Sequence, residues 1–270
     1  RIYNYARDDV RYEQVVVYHA IDQAQRYFHS LGFDDDTGTV NGIRDKVTNV
    51  CAHWNNDDQS FYSWANDNLH LGDGGVDDAE DADIILHEYG HAVLASINAS
   101  SASGADIKNF NEWSALHEGF GDYLAAAFFA DDGDGAYQAA HAAAVGEWDA
   151  TSYSAASPPN LRRVDSLKKW TTDWVDQKHT DGEIWSSACW MLRGDINSTV
   201  CDQLILEGFL ATPSGAVRMK DVALLIYDAD QNLNAGANEA SIRNAFNTHE
   251  ITIDADYPLT VDTVAGVVGE

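Results

Sequence analysis

Asp81 to Ile97 reads DADIILHEYGHAVLASI, and the fold and chemistry of this chain turn on it. In a helix, residues four apart share one face a turn apart, so His87 and His91 offer ring nitrogens to the same ion. Glu88 is offset around that helix, which lets its carboxylate reach a water on an open metal position instead of the metal itself. Asp81 and Asp83 suit the N-terminal turn, while Ile84, Ile85, Val93, Leu94 and Ile97 supply apolar faces. The same pattern also fits a buried helix that carries two histidines by chance. The rest of the chain therefore has to supply a third ligand.

Outward from that helix the sequence divides in two. On the N-terminal side, Tyr12–Leu31 reads as an amphipathic helix ended by Gly32, with Val17, Ile21, Ala24, Phe28 and Leu31 on one side. KVTNVCAHW and FYSWANDNLHLG are β-branched, aromatic and partly alternating, which predicts strands leading to GDGG and the acidic link VDDAEDAD. On the C-terminal side, NASSASGAD predicts a loop and helices then dominate. NEWSALHEGFGDYLAAAFF, AYQAAHAAAVGEW and the segments 183–196, 199–210, 216–227 and 239–248 all read as helices, with DDGDG and DATSYSAASPPN as connections. The expected fold is α+β with two lobes: a β-containing N-terminal lobe, 1–97, and a mainly helical C-terminal lobe, 98–270. The metal-binding helix would sit at the junction, where a cleft is expected.

A catalytic zinc commonly keeps three protein ligands and one open position. Glu112 and Glu118 both follow the polar loop. Glu118 is the better third ligand, because Asp122 lies one turn on, placed to accept the other ring N–H of a ligand histidine; Glu112 has Leu116 there. His117 points elsewhere and reads as a packed or exposed histidine. Other arrangements fail on spacing: the metzincin pattern would need Gly and His where Leu94 and Ile97 stand, and an aminopeptidase-type Glu would fall on Phe110.

HEYGHAV, then LHEGFGDYLAA, then HTDGEIWSSACWMLR resembles the thermolysin and fungalysin branch of zinc metallopeptidases, closest to its fungalysin-like bacterial and archaeal members. The resemblance runs from about Lys46 to His249. It implies a thermolysin-like two-lobed fold, with one catalytic zinc on His87, His91 and Glu118, Glu88 as general base and Asp122 behind a ligand histidine. It also implies that His179, ahead of Gly182-Glu183-Ile184-Trp185, stabilises the oxyanion, although a packing histidine on a loop fits the sequence too. Thermolysin has a tyrosine between its second histidine and third ligand; the interval 92–117 has none here, leaving Tyr153, another donor or His179 alone. The family's substrate-binding edge strand has its counterpart at Gln59-Ser60-Phe61-Tyr62, with Gln in place of Asn. An arginine that grips a substrate carbonyl is matched by Arg162 or Arg163, with Arg163 taken as the substrate-binding residue; a structural ion pair is the alternative.

Composition bounds the partners. Hydrophobic residues make up 45% of 270, enough for a sizeable core. Asp and Glu number 44 against 16 Lys and Arg, a formal charge of -28 spread along the chain. Such a field disfavours nucleic acid and anionic membranes and repels itself unless counterions screen it, which reads as adaptation to high salt or as an ordinary acidic secreted protein. No stretch is apolar enough to span a bilayer and no signal peptide precedes Arg1, so the chain reads as a mature or trimmed form. The resemblance implies an extracellular enzyme acting on polypeptides, and a monomer is expected. Cys189 and Cys201 could pair or stay separate buried thiols. Calcium is possible: Asp131, Asp132 and Asp134 form an acidic turn, and Asp228, Asp230, Asn232, Asn234 and Glu239 fall at EF-hand-like offsets, but Leu233 replaces the required glycine. The sequons at Asn98 and Asn197 are weak signals of glycosylation. The competing functions are a protease-like binding module that has lost turnover, against which the intact Glu88 argues, and a zinc hydrolase of narrow specificity.

Overall fold

The computed structural model describes residues 4–34, 42–97, 110–131, 141–213 and 217–254. The loop around the Asn98 sequon, Asp132 and Asp134, and the expected helix as far as Ala140 lie outside them.

The first helix, α1 (Arg11–Ser30), ends where the sequence places a glycine. Gly32 has φ +96°, its N–H bonds the His29 carbonyl, and the Phe33 N–H reaches back to Phe28. These are the two closing bonds of a Schellman motif, which satisfy carbonyls the helix leaves over. Val17, Ala20, Ala24 and Phe28 are buried, and Ile21 is partly buried against the same core. Next comes a three-stranded sheet of β1 (Asn49–Trp54), β2 (Phe61–Ser63) and β3 (Asn68–Gly72), in the order β1-β3-β2. The pair β1/β3 is parallel, with Asn49 opposite Asn68; β2/β3 is antiparallel, with Phe61 opposite His70. Thus β2 is an edge strand, and Leu69 and Leu71 of the central strand are fully buried.

A short 3₁₀ turn at Asp78–Glu80 leads into α2 (Ala82–Ile97), which packs on α1, β2 and β3 on one side and on α3 (Phe110–Phe129) on the other. Asp81 starts α2. One of its oxygens accepts from the Asp83 N–H at 2.9 Å, and the other from the N–H groups of Trp148 and Asp149 at 3.0 Å. A single carboxylate therefore caps the helix and ties down a distant loop.

After α3, β4 (Ala144–Val145) pairs antiparallel with β5 (Arg162–Arg163), and a single turn, α4 (Trp170–Asp173), precedes α5 (Lys178–Asp195), α6 (Ser198–Leu210), α7 (Met219–Asn234) and α8 (Glu239–Thr248). Ala144 and Val145 correct the helix expected through Trp148. They are strand, because pairing with Arg162 and Arg163 and the left-handed Gly146 (φ +69°) override the helical preference of an alanine-rich run. Asp228, Asp230, Asn232 and Asn234 lie inside α7, and both Asp230 oxygens are taken by Asn238. That is a helix end, not an ion-binding loop. Cys189 and Cys201 are both buried free thiols. No helix among the described residues is long and apolar enough to cross a membrane.

Candidate metal centre

Three helices meet at glycines. A Cβ on Gly90 of α2 would lie 3.0 Å from the Gly121 Cα of α3, and one on Gly121 would lie 2.8 Å from the His87 Nδ1. Between α3 and α5, a Cβ on Gly119 would collide with the Gly182 carbonyl oxygen, and one on Gly182 would stand 2.9 Å from the Glu118 Cβ. Only hydrogen at these positions allows the axes so close. The approach carries His87 and His91 of α2, Glu118 and Asp122 of α3, and Lys178 and His179 of α5 to one place.

The ligand atoms of His87, His91 and Glu118 all lie within 4.8 Å of one another, and the three residues form the one such His/Cys/Asp/Glu group among the described residues. Glu118 Oε2 faces all three imidazoles: it is 3.1 Å from Nε2 of His87, 3.8 Å from Nε2 of His91 and 3.4 Å from Nε2 of His179. The other oxygen, Oε1, accepts from the Lys178 ammonium at 2.6 Å. Two imidazoles and one carboxylate converging in largely buried surroundings suit zinc with an open fourth position, so the residues present fit that ion.

Behind the ligands, Asp122 is fully buried, with Oδ1 2.8 Å from the His87 Nδ1. Arg162 grips both Asp122 oxygens, Nε at 2.7 Å and Nη2 at 2.8 Å. Burial opposes the Asp122 charge, but Arg162 and His87 hold its pKa down to about 2. Burial likewise opposes a charged His87, yet Asp122 and Glu118 carry it up to about 10, while burial takes His91 down to about 3. The two ligand imidazoles are thus unequal: one is backed by a carboxylate and the other is not. Glu88 is 6% exposed; burial pushes its pKa up to about 7, Oε2 has no partner, and the Tyr62 main chain of edge strand β2 lies against the carboxylate. A buried carboxylate poised near neutrality can take a proton and return it.

Other sequence candidates are placed differently. Glu112 caps α7 by accepting from the Met219 N–H at 2.9 Å, so it stands outside the ligand group. Arg163 is not brought to the ligands: it forms a bidentate pair with Asp165. Adjacent strand residues point to opposite faces, and Arg162 takes the inward one. Ser60 gives its hydroxyl to Asp78 at 2.6 Å and accepts from the Gly72 N–H, so its side chain builds the strand's start, while Gln59 is exposed beside it. Tyr153 gives its hydroxyl to Asp149 at 2.6 Å. His117 is buried beside the ligands, stacked on His91 with centroids 5.8 Å apart and edged by Trp64 and Trp113; both of its ring nitrogens lack partners.

Sequence reasoning missed Lys178 and Gln177. The Gln177 side chain accepts from the Thr180 N–H at 2.6 Å, capping α5, and its amide nitrogen lies 3.0 Å from the His179 Nδ1. The one available signal was their position next to His179.

The pattern of the family described as fungalysin metallopeptidase (M36) matches residues 55–255. Among solved structures, the precursor of protealysin, a metalloproteinase from Serratia proteamaculans, matches with a TM-score of 0.67 over 92% of this chain and 81% of that one, at 14% identity. At that identity the likeness is one of fold, and it is the α+β, two-lobed fold expected from the sequence. No match was found among curated proteins.

Proposed function

This chain belongs to the fungalysin metallopeptidases, and on that premise we propose that it is a zinc endopeptidase that cuts polypeptides outside the cell, in high salt. The single observation that carries the reading is the convergence of His87, His91 and Glu118 beside a buried, half-unpartnered Glu88. His87, His91 and Glu118 would hold zinc, which would supply a water of lowered pKa and polarisation of the scissile carbonyl. Glu88 is placed to accept a proton from the attacking water on its unpartnered Oε2 and to return that proton to the leaving amine. Asp122 fixes the His87 ring, and Arg162 holds Asp122. His179 donates to the carbonyl oxygen as charge develops on it. An extended substrate pairs with the main chain of β2, entering past Gln59 and Ser60. The excess of acidic residues argues for salt tolerance and against nucleic acid or anionic membranes as partners. The two lobes divide near residue 97, and the enzyme works as a monomer.

The test is hydrolysis of a denatured protein in high salt, before and after chelation and zinc restoration, with Glu88→Gln in parallel. Activity lost on chelation, regained with zinc and absent in Glu88→Gln is the expected result. Cleavage that survives chelation, or stoichiometric zinc without cleavage of any of a diverse peptide set, overturns it.

A further inference from the structure

The loop before α5 is built to hold one side chain. Asp181, 1% exposed, accepts from the N–H groups of Val175 at 2.9 Å and Gln177 at 2.8 Å, so a buried carboxylate fixes the backbone on which Gln177 stands. The Gln177 amide is then oriented by its partners. Its carbonyl oxygen accepts from the Thr180 N–H at 2.6 Å, a bond only oxygen can make. The other terminal atom is therefore the NH₂ group, and it lies 3.0 Å from the His179 Nδ1. An amide nitrogen can only donate. Nδ1 must accept, so the proton of the neutral ring sits on Nε2, the edge 3.4 Å from Glu118 Oε2.

We propose that Gln177 is the positioning residue of His179, locking it as the neutral tautomer whose Nε2–H points at the reacting centre. The proposal rests on the reading of His179 as a donor to the reacting carbonyl and adds how this chain secures that donor. A carboxylate at 177 would accept from Nδ1–H and leave a neutral ring with a bare lone pair at Nε2. An amide does the reverse, and it supplies a donor without requiring a second proton on the ring.

Two roles of Gln177, capping α5 and orienting His179, are separable. Gln177→Ser keeps a side-chain oxygen suited to capping and removes the amide donor. The experiment is ¹⁵N NMR of the His179 ring, assigned through His179→Gln, in the zinc-loaded wild type and in Gln177→Ser, together with steady-state kinetics and thermal melts of both. The expected result is a wild-type ring protonated at Nε2 and a mixture of tautomers in the variant. The variant's kcat falls about tenfold, KM stays within about twofold and the melting temperature is unchanged, since a donor used only in the transition state acts on kcat. A wild-type ring protonated at Nδ1, or a variant with unaltered tautomer and kcat, overturns the proposal. So does a fall in kcat that only tracks a lower melting temperature. The ring is read without turnover: an inactive wild type with the Nε2–H tautomer would defeat the proposed function and leave the positioning role standing.

Discussion

Among single residues, the two arginines of β5 make the sharpest contrast. Arg162 and Asp122 form a buried bidentate pair, side chains 13% and 0% exposed, whereas Arg163 and Asp165 meet at the surface. Removing one partner of a buried pair leaves an uncompensated charge, which costs about 3–5 kcal/mol, while an exposed pair contributes about 0–1 kcal/mol. Arg162→Met should therefore lose several kcal/mol in urea denaturation and weaken metal binding through a misplaced Asp122. Arg163→Met should do neither; equal effects would mean that the structure's assignment of the inward arginine is wrong. The sequence reading took Arg163 over Arg162 as the substrate-binding residue with no physical ground for the choice, because alternation along a strand says that neighbours diverge but not which one faces in. The ligand helix was legible for the opposite reason: the spacing of His87 and His91 fixes a shared face whatever else the chain does.

At the level of elements, the glycine crossings set the site. Alanine at Gly119 gains about 1 kcal/mol of helix propensity but must push the Gly182 carbonyl away, and overpacking of this kind costs about 1–3 kcal/mol. Since the obstacle is backbone, the cost should win: Gly119→Ala and Gly182→Ala should each melt lower than wild type, and Gly121→Ala, whose Cβ would meet the His87 ring, should also weaken metal affinity. Unchanged melting in all three would sink the close-approach argument. These glycines are visible in EGFGD and DGEIW, yet nothing local marks them as contacts, because the partner of each lies on another helix. Ala144 and Val145 teach the same lesson from the other side: their strand exists because β5 is there to pair with.

The start of α2 carries another element-scale consequence. Asp78, Asp81, Asp83 and Asp149 are crowded around it, and burial raises the pKa of each, that of Asp78 up to about 7. A carboxyl raised from 3.8 in this way binds more protons folded than unfolded between pH 3.8 and about 7. Its contribution to stability is full below that window and lost as pH rises through it. Asp78→Asn, which keeps an acceptor for Ser60, should match wild type at about pH 4 and exceed it in stability at about pH 8. The opposite order in a denaturation series would refute the assigned direction.

For the whole molecule the governing number is a formal charge of -28 over 270 residues. Self-repulsion of that size is screened when the Debye length falls to about 3 Å near 1 M salt. The melting temperature should climb with sodium chloride at neutral pH and respond far less near pH 4, where many carboxyls are protonated. A melting temperature flat or falling with salt at neutral pH would remove the physical basis for salt adaptation. Charge and the two-part order of elements were open to sequence reading because both are sums over many residues. The joining of α2, α3 and α5 into one site was legible only through the family resemblance, since it depends on contacts between positions far apart in the chain; the Lys178 and Gln177 partners at that junction were not read at all.

The most direct measurement of the central claim is zinc content per chain after exhaustive dialysis, compared across wild type, Glu88→Gln, His91→Ala and Glu118→Ala, each shown to be folded by circular dichroism. One zinc per chain in wild type and Glu88→Gln, and none retained in the two ligand variants, is the predicted result. Zinc retained by folded Glu118→Ala, or absent from folded wild type, would contradict the metal centre assigned to these residues.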